Sequence, residues 1–119
     1  MSKKKKRSEF IPRHVMIYGK KIKVSLVPQL QIIQRAQDPG TASNYIYGLF
    51  DKKNREILID QNLTENDQIL TLIHEMTHLK DFLVGLDQTI GWELQEINCE
   101  TTANMVMDYL RQIKIIDFE

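Results

Sequence analysis

The chain has 119 residues, 42% hydrophobic and 27% charged, a balance ordinary for one globular domain built around one core. Its 16 Lys/Arg and 16 Asp/Glu cancel to a net charge of zero, no apolar run is long enough to span a membrane, and the N-terminus lacks the apolar core of a signal peptide. Membrane and secretory classes are thereby disfavoured, and a cytoplasmic protein is expected. The single Cys99 can form no internal disulfide, which fits a reducing compartment and leaves no Cys-based metal site. The charges are unevenly placed: residues 1–60 carry 13 Lys/Arg against 5 Asp/Glu, and residues 61–119 carry 3 against 11. A solvated acidic face is the commoner cause of such a bias.

In chain order, residues 1–9 hold Lys3-Lys4-Lys5-Lys6-Arg7 with almost nothing apolar, so this stretch is expected to be a disordered basic tail ahead of a single domain at 10–119. Five clustered cations attract phosphate, but no aromatic interleaving accompanies them, and a solubilising tail is preferred over a nucleic-acid contact. His14-Val15-Met16-Ile17, a turn at Tyr18-Gly19-Lys20, and the alternating Lys21–Val27 predict a β-hairpin with Ile22, Val24 and Leu26 on the buried side. Residues 30–37 have weak helical periodicity and are closed by Asp38-Pro39-Gly40. Two further strands, 45–50 and 56–60, flank the polar loop 51–55. The two hairpins imply a small, mostly antiparallel sheet of three to four strands lying just before the next helix, so one of its edges is expected to border that helix.

That helix carries the motif. Thr64 offers a hydroxyl N-cap with Glu65 and Asp67 in the first turn, where the helix dipole favours acids. Ile69, Leu72, Ile73, Met76, Leu79 and Leu83 recur at spacings of three and four, and Gly85 stands where a left-handed terminator belongs, so a helix is predicted over 64–84. Within it lies His74-Glu75-Met76-Thr77-His78. Residues four apart differ by only about 40° around a helix, so both imidazoles project from one face and reach one ion. Two neutral imidazoles supply half of a tetrahedral zinc shell, and a carboxylate one residue along can take a proton from water held by the metal. After the connector 86–91, a second long helix is predicted over 92–113, with Leu94, Ile97, Thr101, Met105, Tyr109, Leu110 and Ile113 giving its period.

A catalytic zinc takes three protein ligands and keeps a fourth position for water. No histidine follows His78, so the third ligand must be a carboxylate, and the second helix offers Glu93, Glu96 and Glu100. Glu93 suits the helix start, where an acid complements the dipole. Glu100 is preferred because Cys99, Thr101, Thr102 and Ala103 are small enough for a close helix contact, and because Asn104, one turn on, could orient an imidazole. Glu96 is the principal alternative, with Asp81, Asp87 or no third protein ligand behind it.

Leu72-Ile73-His74-Glu75-Met76-Thr77-His78, followed by Trp92-Glu93-Leu94-Gln95-Glu96-Ile97-Asn98-Cys99-Glu100-Thr101-Thr102-Ala103-Asn104, resembles the small gluzincin-type metallopeptidases of phages and mobile elements, including the ImmA/IrrE-like group. The resemblance covers roughly residues 45–110 and is specific at the motif helix and at Glu100-x-x-Ala-Asn. It implies an α+β, minimal zincin-like domain in which His74, His78 and Glu100 bind Zn2+ and Glu75 is the general base. It also implies a protein or peptide substrate, in that group often a repressor-type regulator. The expected activity is zinc-dependent peptide hydrolysis, with the oxyanion helped by a donor among Tyr45, Tyr47, Tyr109 and His14. The alternative is a zinc-binding regulatory or adaptor protein of the same fold without catalysis, against which Glu75 argues, since a structural site has no use for that carboxylate.

Overall fold

The computed structural model describes residues 10–36 and 47–116; the basic tail, the Asp38-Pro39-Gly40 turn and strand positions Tyr45 and Ile46 lie outside the described residues. The elements are β1 (His14–Ile17), β2 (Lys20–Val27), α1 (Gln29–Ala36), β3 (Gly48–Asp51), β4 (Glu56–Asp60), α2 (Glu65–Leu83) and α3 (Trp92–Gln112), with a 3-10 turn at Leu86–Gln88 between the last two. This is an α+β architecture in which a four-stranded sheet packs beneath the motif helix.

Both expected hairpins form. Tyr18 and Gly19 take positive φ values of 49° and 75°, the two-residue reversal whose twist matches that of paired strands. In the second hairpin the Asp51 carboxylate accepts from the Asn54 amide nitrogen (3.1 Å) and side chain (2.8 Å), closing the loop on itself. The hairpins join through a parallel β2–β4 pair, giving the order β1-β2-β4-β3. A parallel pair needs a crossover, and the chain between β2 and β4 supplies it through α1.

The crossover divides the core in two. On one face Ile22, Val24, Phe50, Ile57 and Ile59 pack against Ile69, Leu72 and Leu79 of α2 and Met107 of α3. On the other, Val27 and Leu58 meet Ile32 of α1. Covered on both sides, β4 has all five of its residues buried, as a central strand of a layered fold must. Leu26, expected on the buried side, packs partly buried against the same core as Ile22 and Val24; Val27, the next residue, reaches the second core because α1 covers the face of β2 that alternation alone assigned to solvent. Leu58→Ala, which opens a cavity beside Val27 and Ile32, is expected to cost about 2–5 kcal/mol, read from urea unfolding.

Asp51 and Glu56 face each other across the β3–β4 ladder, a like-charge pair that is unfavourable by itself. Arg35 of α1 lies over both, its guanidinium 2.5 Å from Glu56 and 3.3 Å from Asp51, while the Ser25 hydroxyl donates to Glu56 at 2.5 Å. Burial alone would raise both acids; the hydrogen bonds and nearby cations outweigh it and hold them below the ordinary carboxylate range. Arg35 thereby ties α1 to the strand that borders the site.

Candidate metal centre

The motif helix forms as its capping residues dictate. The Thr64 hydroxyl accepts from the Asp67 N–H at 3.3 Å, and Gly85 follows the last turn at φ 77°. His74 and His78 stand on the flank of α2 that faces α3, their ring centroids 5.1 Å apart. The carboxylate that meets them is Glu96. Its Oε1 lies 2.5 Å from His78 Nε2 and its Oε2 lies 3.4 Å from His74 Nε2. One ligand atom from each of these three residues falls within 4.8 Å of the others, the only such trio of His, Cys, Asp or Glu among the described residues.

Glu100, the preferred third ligand from sequence, is outside this trio, and the correction has a simple cause. The short link between α2 and α3 turns the chain back on itself, so the first turns of α3 lie beside His78, where the Trp92 indole stacks on the imidazole at 5.4 Å and 9°. Glu96 is one turn from Trp92 and arrives at both rings; Glu100 is four residues and about 6 Å further along. It stays exposed on the wall of the same cavity, where its charge acts on His74 from a distance. The Asn104 amide donates to the Glu100 carbonyl at 2.9 Å instead of orienting an imidazole.

The other candidates go elsewhere. Asp81 is fully buried between the helices with Lys80 Nζ 2.9 Å from one oxygen, in a geometry that gives neither oxygen a hydrogen bond. Asp87 pairs with Lys52 at 3.3 Å. Burial first, then the charges of Asp81, Glu96 and Glu75, push the Cys99 thiol up to about 12, so it is inert as a ligand or nucleophile. Of the described oxyanion candidates, Tyr47 lines the cavity, His14 lies in β1, and Tyr109 faces outward on α3.

Glu75 is 7% exposed and lies on the wall of a cavity of about 1000 Å³ shared with the two histidines. Desolvation raises its carboxyl above the ordinary range, against the lowering effect of His74, His78 and the Phe50 N–H that donates to it. That contact turns the outer edge of β3 toward the site, since among the described residues β3 pairs with a neighbour on one side only. The close approach depends on Gly48. A Cβ there would overlap the Thr71 methyl and come to 3.0 Å from the Leu58 carbonyl oxygen and 3.5 Å from Glu75 Cγ. A glycine in an apolar strand is the only local trace of the approach at Gly48, and the stacking of Trp92 on His78 has no local signature.

The donor set suits a transition metal. Two imidazoles and one carboxylate are what a catalytic zinc takes, whereas calcium and magnesium favour oxygen ligands throughout. The same groups also hold one another. Hydrogen bonds from His74 and His78 draw Glu96 down to about 2, and although burial lowers His74, its Glu96 partner and the charges of Glu75, Glu96 and Glu100 raise it on balance. The depressed carboxylate stabilises the fold above its unfolded value of 4.5 and loses that contribution as pH falls toward 2. The raised imidazole contributes fully below 6.5 and loses its contribution as pH climbs through its folded value. In chelator, the Tm difference between wild type and Glu96→Gln is therefore expected to be largest between about 4.5 and 6.5 and to shrink on both sides; a difference independent of pH would refute the pairing.

No family model matches the chain, and no curated protein or solved structure is similar to it. No helix among the described residues is long and apolar enough to cross a membrane.

Proposed function

We propose that the protein is a cytoplasmic zinc-dependent metallopeptidase that hydrolyses peptide bonds in a protein substrate, a minimal zincin of the gluzincin type its motif resembles. The observation that carries this reading is the convergence of His74, His78 and Glu96 in a cavity with the buried Glu75 on its wall. His74, His78 and Glu96 would hold the zinc, which would supply a Lewis acid for the scissile carbonyl and lower the pKa of water toward about 7. Glu75 accepts the proton of the attacking water and passes it to the leaving amine, a task favoured by a carboxyl that burial raises above the ordinary carboxylate range. Trp92 holds the His78 ring by stacking, and the outer edge of β3 offers backbone groups along which an extended substrate segment aligns. A repressor-type regulator is the substrate class the resemblance points to.

Trp92 is the sole tryptophan and touches a ligand ring, so it reports occupancy directly. Purified wild type is expected to carry one zinc per chain, and Co2+ added to zinc-free protein is expected to quench its fluorescence. His74→Ala and Glu96→Ala should lose both properties. Retention of zinc and of quenching by these variants, or wild type that stays metal-free at saturating zinc, would sink the reading.

A further inference from the structure

Charge is divided between the parts of this fold. Residues 10–27, which form the first hairpin, and 51–56, which form the tip of the second, hold seven Lys/Arg, every one exposed, against two acids. Both acids, Asp51 and Glu56, are held by Arg35. The other described residues hold four Lys/Arg against ten acids. The sheet topology gathers the cations. β2 and β4 run parallel with Lys23 beside Glu56, so the Tyr18-Gly19 turn before β2 and the loop before β4 emerge at the same end of the sheet. Lys20, Lys21, Lys53 and Arg55 stand at that end, and none forms an ion pair among the described residues. An aromatic ring joins them. Tyr18 is 70% exposed, more than any other large apolar or aromatic side chain among the described residues. It takes φ 49° at the first position of a turn that asparagine, aspartate or glycine fills with less strain. Arg55 takes φ 51° in the neighbouring loop, so two of the three left-handed non-glycine residues among the described ones hold a ring and a guanidinium at one end of the sheet. A strained residue whose side chain stays outside the core points to a contact made beyond the chain.

We propose that this end of the sheet binds single-stranded nucleic acid, its phosphates running along Lys20, Lys21, Lys53 and Arg55 and a base stacking on Tyr18. Cations alone suit any polyanion. The exposed ring decides among them: an unpaired base offers a flat face to stack on, an acidic polypeptide offers none, and a duplex keeps its bases stacked inside.

Neither Tyr18 nor these four cations line the metal cavity, so the experiment is run on the full chain in chelator, and its outcome is separate from the metallopeptidase reading. Labelled oligothymidine of about 20 nucleotides is expected to bind saturably by fluorescence anisotropy, with a log–log salt slope near −0.7 for each phosphate engaged. Lys21→Ala and Lys53→Ala should each weaken binding and make that slope shallower by about 0.7. Tyr18→Asn, which suits the left-handed turn, should weaken binding at least about fivefold with the slope unchanged, while Tyr18→Phe keeps the wild-type affinity. Replacing Lys3, Lys4, Lys5 and Lys6 by alanine removes the other basic stretch of the sequence, and Tyr18→Asn should weaken binding by the same factor in that background. Absence of binding at low salt overturns the proposal, as does a duplex or a poly-glutamate of equal length that competes as well as the single strand. Binding that the tail substitutions abolish and Tyr18→Asn leaves unchanged overturns it as well.

Discussion

Glu75→Gln is expected to bind zinc at the wild-type ratio and to lose about 10²–10⁴-fold in peptide hydrolysis, the usual worth of a positioned general base. The two properties separate because the metal trio and the base are different atoms on different faces of one turn. Glu75 is outside the trio, and the isosteric amide keeps the volume against Gly48 and can still accept from the Phe50 N–H while being unable to take a proton. His78→Ala, by contrast, removes a ligand and the ring on which Trp92 stacks, so zinc, activity and the Trp92 signal should vanish together. The measurement is zinc stoichiometry beside hydrolysis of an unfolded protein substrate. Wild type and Glu75→Gln that both hold zinc and are equally inert would discard the enzyme in favour of a zinc-binding regulator.

The second large effect is expected at a residue with no functional group. Gly48→Ala should destabilise the protein by about 1–3 kcal/mol in urea unfolding, the cost of inserting a methyl into packed structure. Its φ is not positive, so backbone strain plays no part; the added carbon simply overlaps the Thr71 methyl and crowds the Leu58 carbonyl oxygen. Activity should fall with stability, because the strand that must move away carries the Phe50 N–H bound to Glu75. Thr71→Ser removes the offending methyl but keeps the hydroxyl that donates to the Asp67 carbonyl at 2.7 Å. It should therefore cost little alone and recover part of the loss in the Gly48→Ala background. Additive losses in the double variant would show that β3 and α2 do not meet at this point.

Much of the architecture was legible from local chemistry. Thr64 with Glu65 and Asp67 marks the start of α2, Gly85 its end, and alternation around Tyr18-Gly19 marks the first hairpin. Each of these is decided within a few residues, where propensity and hydrogen bonding act. The pair His74 and His78 belongs with them, since one helical turn alone brings two imidazoles together.

What the sequence could not decide is how these elements face one another. Glu96 and Glu100 share a face of α3, and only the place where that helix crosses α2 makes one of them the partner of both histidines. The apolar period of α3 established a helix but said nothing of its rotation, so the stripe through Leu94 and Met105 points to solvent while the small Cys99 and Ala103 point to α2. Helical period is a property of one segment; rotation, crossing point and parallel strand pairing are properties of two. They are settled by which surfaces fit most closely once the connecting chain, here the turn at Leu86–Gln88 and the crossover through α1, limits where each element can lie.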